Sequence, residues 1–178
     1  RLSVYTAAQH TKRQSYYGAG HDPNAYGSTT DMTFVGGSQY NYESERCLFM
    51  PATFTGGMEY SYDDLQDRML GYNRTISQTV HIGSLFAQNE WKNHYWSLLI
   101  GGRLDKHNLM DHVIFSPRAN LRYNPTDDMN LRLSYSSGFR APQAFDEDLH
   151  ITAVGGDVAL IQLSPSLKEE KSQSLSAS

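Results

Sequence analysis

The sequence predicts an all-β fold, an antiparallel up-and-down meander of about eight strands. Three observations predict it. Apolar and polar residues alternate with a period of two over long stretches, the spacing that sends successive side chains to opposite faces of a strand. No stretch keeps a convincing helical period. The segments between the alternating runs follow one another as long, short, long, short.

The first strand is Arg1–Tyr17, where Leu2, Val4, Thr6 and Ala8 alternate with Ser3, Tyr5 and Gln9. The second, near Asp31–Tyr42, sets Met32, Phe34, Tyr40 and Tyr42 against Thr33, Gln39 and Asn41. The third, Met50–Tyr62, is the cleanest: Ala52, Phe54, Met58, Tyr60 and Tyr62 oppose Thr53, Thr55, Glu59 and Ser61. The fourth, Gln78–Trp91, has a blurred alternation that leaves its facing open. In the fifth, Tyr95–Asp105, Trp96, Leu98, Ile100 and Leu104 alternate with Ser97, Arg103 and Asp105.

The sixth and seventh strands form the hairpin Phe115–Pro142. Pro117, Ala119, Leu121 and Tyr123 share a face opposite Arg118, Asn120 and Arg122. Met129, Leu131, Leu133 and Tyr135 likewise alternate with Asn130, Arg132, Ser134 and Ser136. An eighth strand starts near Leu167 and runs to Ser178. For the hairpin, opposed like charges are unfavourable, so the expected register avoids Arg122 facing Arg132. It pairs Tyr123 with Met129, Leu121 with Leu131 and Ala119 with Leu133, around a five-residue turn, Asn124–Asp128.

One chain of 178 residues with net charge −4 and no basic run argues against nucleic acid as a partner. Mean hydropathy is −0.56, and no stretch approaches the ~20 apolar residues of a membrane helix. A barrel strand needs only ~10 alternating residues, so a membrane barrel stays open. Cys47 is the single cysteine, which excludes a disulfide framework and a multi-cysteine zinc site. Twelve tyrosines and two tryptophans could supply interfacial girdles.

The connections run Gly18–Thr30, Glu43–Phe49, Asp63–Ser77, Lys92–His94, Lys106–Phe115, Asn124–Asp128 and Phe139–Ser166. Every long one falls at the same end of the sheet. That is the habit of outer-membrane barrels, with short periplasmic turns and longer extracellular loops. Phe139–Ser166 exceeds the length of a passive connection.

Four stretches then resemble the barrel of TonB-dependent outer-membrane receptors. They are FAQNEWKNHYWSLLIGGRLDKHN at Phe86–Asn108, SPRANLRYNP at Ser116–Pro125, LRLSYSSGFRAPQAFD at Leu131–Asp146 and LKEEKSQSLS at Leu167–Ser176. Gly138-Phe139-Arg140-Ala141-Pro142 is the most specific of these runs. The resemblance implies that residues 1–178 are part of a larger transmembrane β-barrel in the cell outer membrane, lacking the plug domain, the TonB-binding segment and the closing strand. It implies a receptor for TonB-energised uptake of a scarce nutrient such as a ferric siderophore or cobalamin. The partners would be the TonB system, through a plug not in this chain, the nutrient complex and outer-membrane lipid. No cofactor is implied.

On that reading Phe54, Met58, Trp96, Leu98, Ile100, Leu121, Leu131 and Leu133 face lipid. Arg103, Arg118, Arg122 and Arg132 line the lumen and pair with carboxylates such as Glu59 and Asp105. Leu121→Arg, placed at mid-bilayer, would cost about 2–4 kcal/mol. Extracellular ligand candidates are His21, Tyr26, Tyr72, Arg140 and Phe145; Arg140, beside the turn fixed by Pro142, also has a structural reading. Asp105, His107, Asp111 and His112 are the metal candidates, since carboxylate oxygens and imidazole nitrogens suit divalent ions. The acidic run Asp146-Glu147-Asp148 with His150 reads as a solvated loop. No nucleophile stands in a strand–elbow–helix context, so an enzyme is not expected. The alternative is a soluble or surface β-sheet domain that binds carbohydrate or protein through aromatic loops such as His21–Tyr26.

Overall fold

The computed structural model describes residues 1–16, 26–144, 152–154, 157–159, 164 and 167–178. Strands β1 (Leu2–Tyr16), β2 (Tyr26–Cys47), β3 (Met50–Met69), β4 (Arg74–Lys92), β5 (Trp96–His107), β6 (Val113–Thr126) and β7 (Met129–Arg140) lie side by side in chain order. β8 (Thr152–Val154) and β9 (Asp157–Ala159) make a separate small hairpin, and β10 (Glu170–Ala177) returns beside β7. All pairs are antiparallel, so the expected meander is the fold. No helix among the described residues is long and apolar enough to cross a membrane.

The turns at one end are tight. Leu48–Phe49 joins β2 to β3, with Leu48 at a positive φ of 64°. Between β4 and β5, the Asn93 side-chain oxygen accepts the backbone N–H groups of Tyr95 and Trp96, at 2.9 and 2.7 Å. This is the local closure that makes asparagine a turn residue. Asp127–Asp128 joins β6 to β7. At the other end lie Leu70–Asn73 and Asn108–His112, with the end of β1 and the start of β2.

Three expected long loops shrink: Gly18–Thr30 gives Tyr26–Thr30 to β2, and two others change more. Asp63–Ser77 is strand except for the 3-10 turn Leu70–Tyr72 and Asn73, whose φ is 48°. Lys106–Phe115 contracts to Asn108–His112. The cause is a change of phase. From Ala52 to Tyr62 the apolar residues of β3 are even-numbered; beyond Asp63 they are Leu65 and Met69, which are odd and buried. In β4 the buried Ile76 and Val80 likewise share the face opposite Leu85, Ala87 and Trp91. One strand carries two opposite patterns, and reading them as one gives a loop and a blur.

The hairpin register also departs from expectation. Leu121 faces Leu133, Arg122 faces Arg132 and Tyr123 faces Leu131, with a bulge between Tyr123 and Thr126 and a two-residue turn. The bulge takes up the residues expected in a wider turn. Arg132 turns aside, its Nε donating 2.8 Å to Asn130 Oδ1, and Asn130 in turn donates to Asn124. Local repulsion does not set this register.

Cross-strand rows order the apolar face by height. At the short-turn end lie Trp96 and Tyr123, stacked at 4.0 Å, then Trp91, Leu98, Leu121 and Leu133. Next come Tyr42, Phe54, Ile100, Ala119 and Tyr135, then Gly56, Ala87 and Gly102. Met58, Leu85, Leu104 and Phe115 follow, and above them Tyr60, then Phe34, Tyr62 and His81. From Ala52 to Tyr62, at about 3.3 Å per residue and a tilt near 40°, the band is about 25 Å tall. It is apolar in the middle and aromatic at both rims. All eight residues expected on the lipid side lie on this face, and the four arginines lie on the other. Leu121, however, belongs to the rim row of Trp91, not to the middle. Met58 and Leu85, each 58% exposed, occupy the centre.

Candidate functional site

The polar face carries its main network at the height of the apolar centre. Tyr5 Oη donates to Glu59 Oε2 at 2.6 Å, and Arg103 Nη2 donates to Glu59 Oε1 at 2.7 Å. Arg103 also bonds Asp105 Oδ1 through Nε (2.8 Å) and Ser84 Oγ through Nη2 (2.7 Å). Ser84 donates to Asp105 at 2.6 Å. Five side chains from β1, β3, β4 and β5 are thus tied across the sheet, with one cation shared by two carboxylates. Gly37 makes the long reach of Tyr5 possible: a Cβ there would stand 2.5 Å from the Tyr5 hydroxyl. The carboxylate pairing of Arg103 was legible in the alternation; the parts of Tyr5 and Ser84 were not.

The network borders a cavity of about 410 Å³ lined by Tyr5, Glu59, Phe86, Arg103, Arg118 and Ser136 among others. Arg118 donates to Gln88. Nearer the long-connection end, Thr29 Oγ1 donates 2.7 Å to Asp67 Oδ1, and Arg74 Nη2 stands 2.6 Å from Asp67 Oδ2, both ions buried. The chain leaving β7 folds onto this face. Ala144 joins Leu65 and Ile76 in a small core, and its N–H donates to Gln78 Oε1 at 2.7 Å.

The metal candidates do not assemble. Asp105 is engaged by Arg103 and Ser84. His107 is fully buried; its Nδ1 accepts the Leu109 N–H at 3.0 Å, so its Nε2 carries the proton that bonds Gln143 Oε1 at 3.0 Å. Both nitrogens are occupied. His112 pairs with Glu169 at 3.1 Å, and Asp111 is exposed. Among the described residues no three His, Cys, Asp or Glu side chains cluster for an ion.

Of the ligand candidates, His21 and Phe145 lie outside the described residues, as does the run Asp146–His150. Tyr26 packs at a tilt against Tyr16, ring centroids 4.7 Å apart, and the register puts both on the apolar face's side of the wall. Arg140 falls on the polar face opposite Glu170, and Tyr72 caps the β3–β4 connection. At the same end, the Glu169 carboxyl is held below its ordinary range, first by its own backbone N–H and then by the Lys171 ammonium 3.2 Å away.

The sheet is similar to several solved structures. With the ferric enterobactin receptor PfeA of Pseudomonas aeruginosa the TM-score is 0.76 at 21% identity, covering 98% of this chain and 29% of that one. With the siderophore receptor PirA of the same organism it is 0.72 at 13% identity, covering 99% and 36%. With PirA of Acinetobacter baumannii it is 0.56 at 18%, covering 79% and 23%. The chain therefore spans about a quarter to a third of the length of these structures. No curated protein matches its sequence. The family model for the TonB dependent receptor-like β-barrel matches residues 2–178. An aromatic-rimmed apolar band, an arginine-bearing opposite face and this match over nearly the whole length place the chain in the family of TonB-dependent receptors, within their β-barrel.

Proposed function

We propose that this chain is a wall segment of an outer-membrane receptor that takes up a ferric siderophore with energy from TonB. The single observation that carries the membrane setting is the band about 25 Å tall between two aromatic rims. A soluble domain would expose Met58, Leu85, Ile100, Leu104 and Phe115 to water in one continuous patch, which a soluble monomer rarely does. That argues against the soluble carbohydrate-binding reading. The unpaired edges of β1 and β10 would strand backbone groups in hydrocarbon, so further strands complete the barrel. The polar face is then the lumen, where a plug would sit, and the long-connection end is extracellular.

Siderophore is favoured over cobalamin because PfeA and PirA, similar in fold, are siderophore receptors by name. Arg140 and Tyr72 would stand near the captured complex. The test is uptake by cells with and without the intact receptor, under iron limitation, offered labelled ferric enterobactin or labelled cobalamin. Receptor- and TonB-dependent accumulation of the iron complex alone is expected. Cobalamin accumulation, or neither, would overturn the reading.

A further inference from the structure

Of the three tight turns at the short-turn end, two have the chemistry a turn ordinarily uses. Asn93 closes the β4–β5 turn through its side chain, and the β6–β7 turn is Asp127–Asp128, with the Asp127 side chain 96% exposed. The β2–β3 turn is Leu48–Phe49 instead. Leu48 is 77% exposed, the most of any large apolar side chain among the described residues, and Phe49 is 58% exposed. The backbone gains nothing from these two residues. The Phe49 N–H donates 3.0 Å to the Cys47 carbonyl around Leu48 at φ 64°, a three-residue turn of the rare, strained hand that suits glycine.

The tip is fastened to the outer side of the wall. Cys47 faces Met50, which alternates onto the face of Ala52 and Trp91. The Trp91 indole N–H donates 3.0 Å to the same Cys47 carbonyl, and the Phe49 ring stacks on the indole with centroids 5.6 Å apart and planes at 16°. Asn93 Nδ2 donates to Met50 Sδ at 3.0 Å, tying this turn to its neighbour. Trp91 belongs to the lower aromatic rim, so Leu48 and Phe49 continue the apolar band past that rim. Phe49 lies three residues beyond Ala52. At the strand tilt that is about 8 Å along the barrel axis. The interfacial layer of a bilayer is ~5–7 Å deep, and the Phe49 ring folds back into it onto Trp91.

We propose that the β2–β3 turn is a membrane anchor, with Leu48 and Phe49 inserted among the glycerol and upper acyl groups of phospholipid in the leaflet at the short-turn end. This rests on the barrel reading above. Continuity with the band selects lipid as the occupant: the tip is held by outer-face groups, and the outer face meets lipid. Phenyl and aliphatic side chains are at home in that layer, where an apolar body lies at headgroup level. Inserting Leu48 there offsets the strained turn that presents it. The Asp127–Asp128 turn carries carboxylates in the same place and stands in water, so the wall is pinned at one turn and not at the other.

The experiment uses the intact receptor in phospholipid vesicles, with any cysteine outside residues 1–178 replaced and with Cys47→Ser, which keeps the carbonyl that both donors use. Nitroxide labels on Leu48→Cys, Phe49→Cys, Leu85→Cys and Asp127→Cys are read by collision with oxygen, which concentrates in lipid, and with a nickel chelate, which stays in water. The oxygen-to-nickel ratio should be highest at Leu85, lowest at Asp127 and between them at Leu48 and Phe49. Phe49→Cys removes the ring that stacks on Trp91, so Leu48→Cys decides alone if that variant misfolds. A Leu48 label that reads like Asp127 would overturn the anchor and leave the barrel reading standing, since Leu85 would still report lipid. Shielding of Leu48 from both reagents would overturn it as well, because a second copy or another protein would then cover the tip. A Leu85 label in water would overturn the barrel reading and the anchor with it.

Discussion

Arg103 passes across β4 to place Nη2 2.7 Å from Glu59 Oε1, two strands away, while its Nε holds Asp105 at 2.8 Å. With 37% of the side chain exposed, the pair lies between the surface case of ~0.2–1 kcal/mol and the buried case of ~3–5 kcal/mol. Arg103→Ala should therefore cost about 1–2 kcal/mol, read as an earlier heat-unfolding midpoint of the intact receptor in detergent. Arg103→Lys should recover only part, since an ammonium lacks the planar fork. An unmoved midpoint for Arg103→Ala would show that solvent and the lumen already satisfy both acids.

Depth should grade the cost of charge on the apolar face. Leu104→Arg, in the central row, is expected to lose about 2–4 kcal/mol in lipid, and Leu121→Arg, at the rim, about 0–1 kcal/mol. Denaturant titration in bilayers measures both. Equal losses at the two sites would contradict the placement of the band.

Directly opposed residues in an antiparallel pair come within disulfide reach, and diagonal ones do not. The double variant Leu121→Cys/Leu133→Cys should cross-link under mild oxidation, and Leu121→Cys/Leu131→Cys should not. Gel mobility before and after reduction reads the result. The reverse outcome would restore the register in which Arg122 and Arg132 are apart.

Glu169 ties the start of β10 to His112 and Lys171, and its carboxyl titrates below the ordinary value near ~4.3. A depressed folded-state value means the contact stabilises fully above that ordinary range and is lost as pH falls through the folded value. Amide protection across Asn108–His112, taken relative to the intrinsic exchange rate at each pH, should fall on acidification in that window, and Glu169→Gln should remove this change. Protection that is flat with pH in the native protein would dismiss the tie.

Gln143→Ala would leave the buried Nε2–H of His107 without its acceptor, at about 1–3 kcal/mol. The loss should appear locally, as faster exchange at Leu109 and Met110. Protection unchanged there would mean that the chain leaving β7 is anchored by Ala144 alone.

Much of this was legible in the sequence because a strand reports its facing through a period of two. Phe54, Met58, Leu121 and Leu133 against Arg103, Arg118 and Arg122 sufficed for the two faces, and Arg103 with Glu59 for the central pairing. What escaped had a common cause. Leu65 and Ile76 are apolar on the polar face because Ala144 covers them, a contact far away in sequence. Alternation cannot see a cover that arrives from elsewhere. The hairpin register escaped likewise: pairwise repulsion between Arg122 and Arg132 does not set it. The site candidates were the least legible, since all five sit in or beside connections, where no period constrains them.

The buried Asp67–Arg74 pair lies in the part of the β3–β4 hairpin that projects roughly 18 Å past the upper aromatic rim. A hairpin inserted from the short-turn side must carry that tip, with Asp63, Asp64, Asp67, Arg68 and Arg74, through hydrocarbon before it reaches water again. Two ions joined within one hairpin travel as a neutral dipole, at a smaller desolvation cost than two ions apart. On the barrel reading, the bond that steadies the finished wall also lowers the barrier to building it.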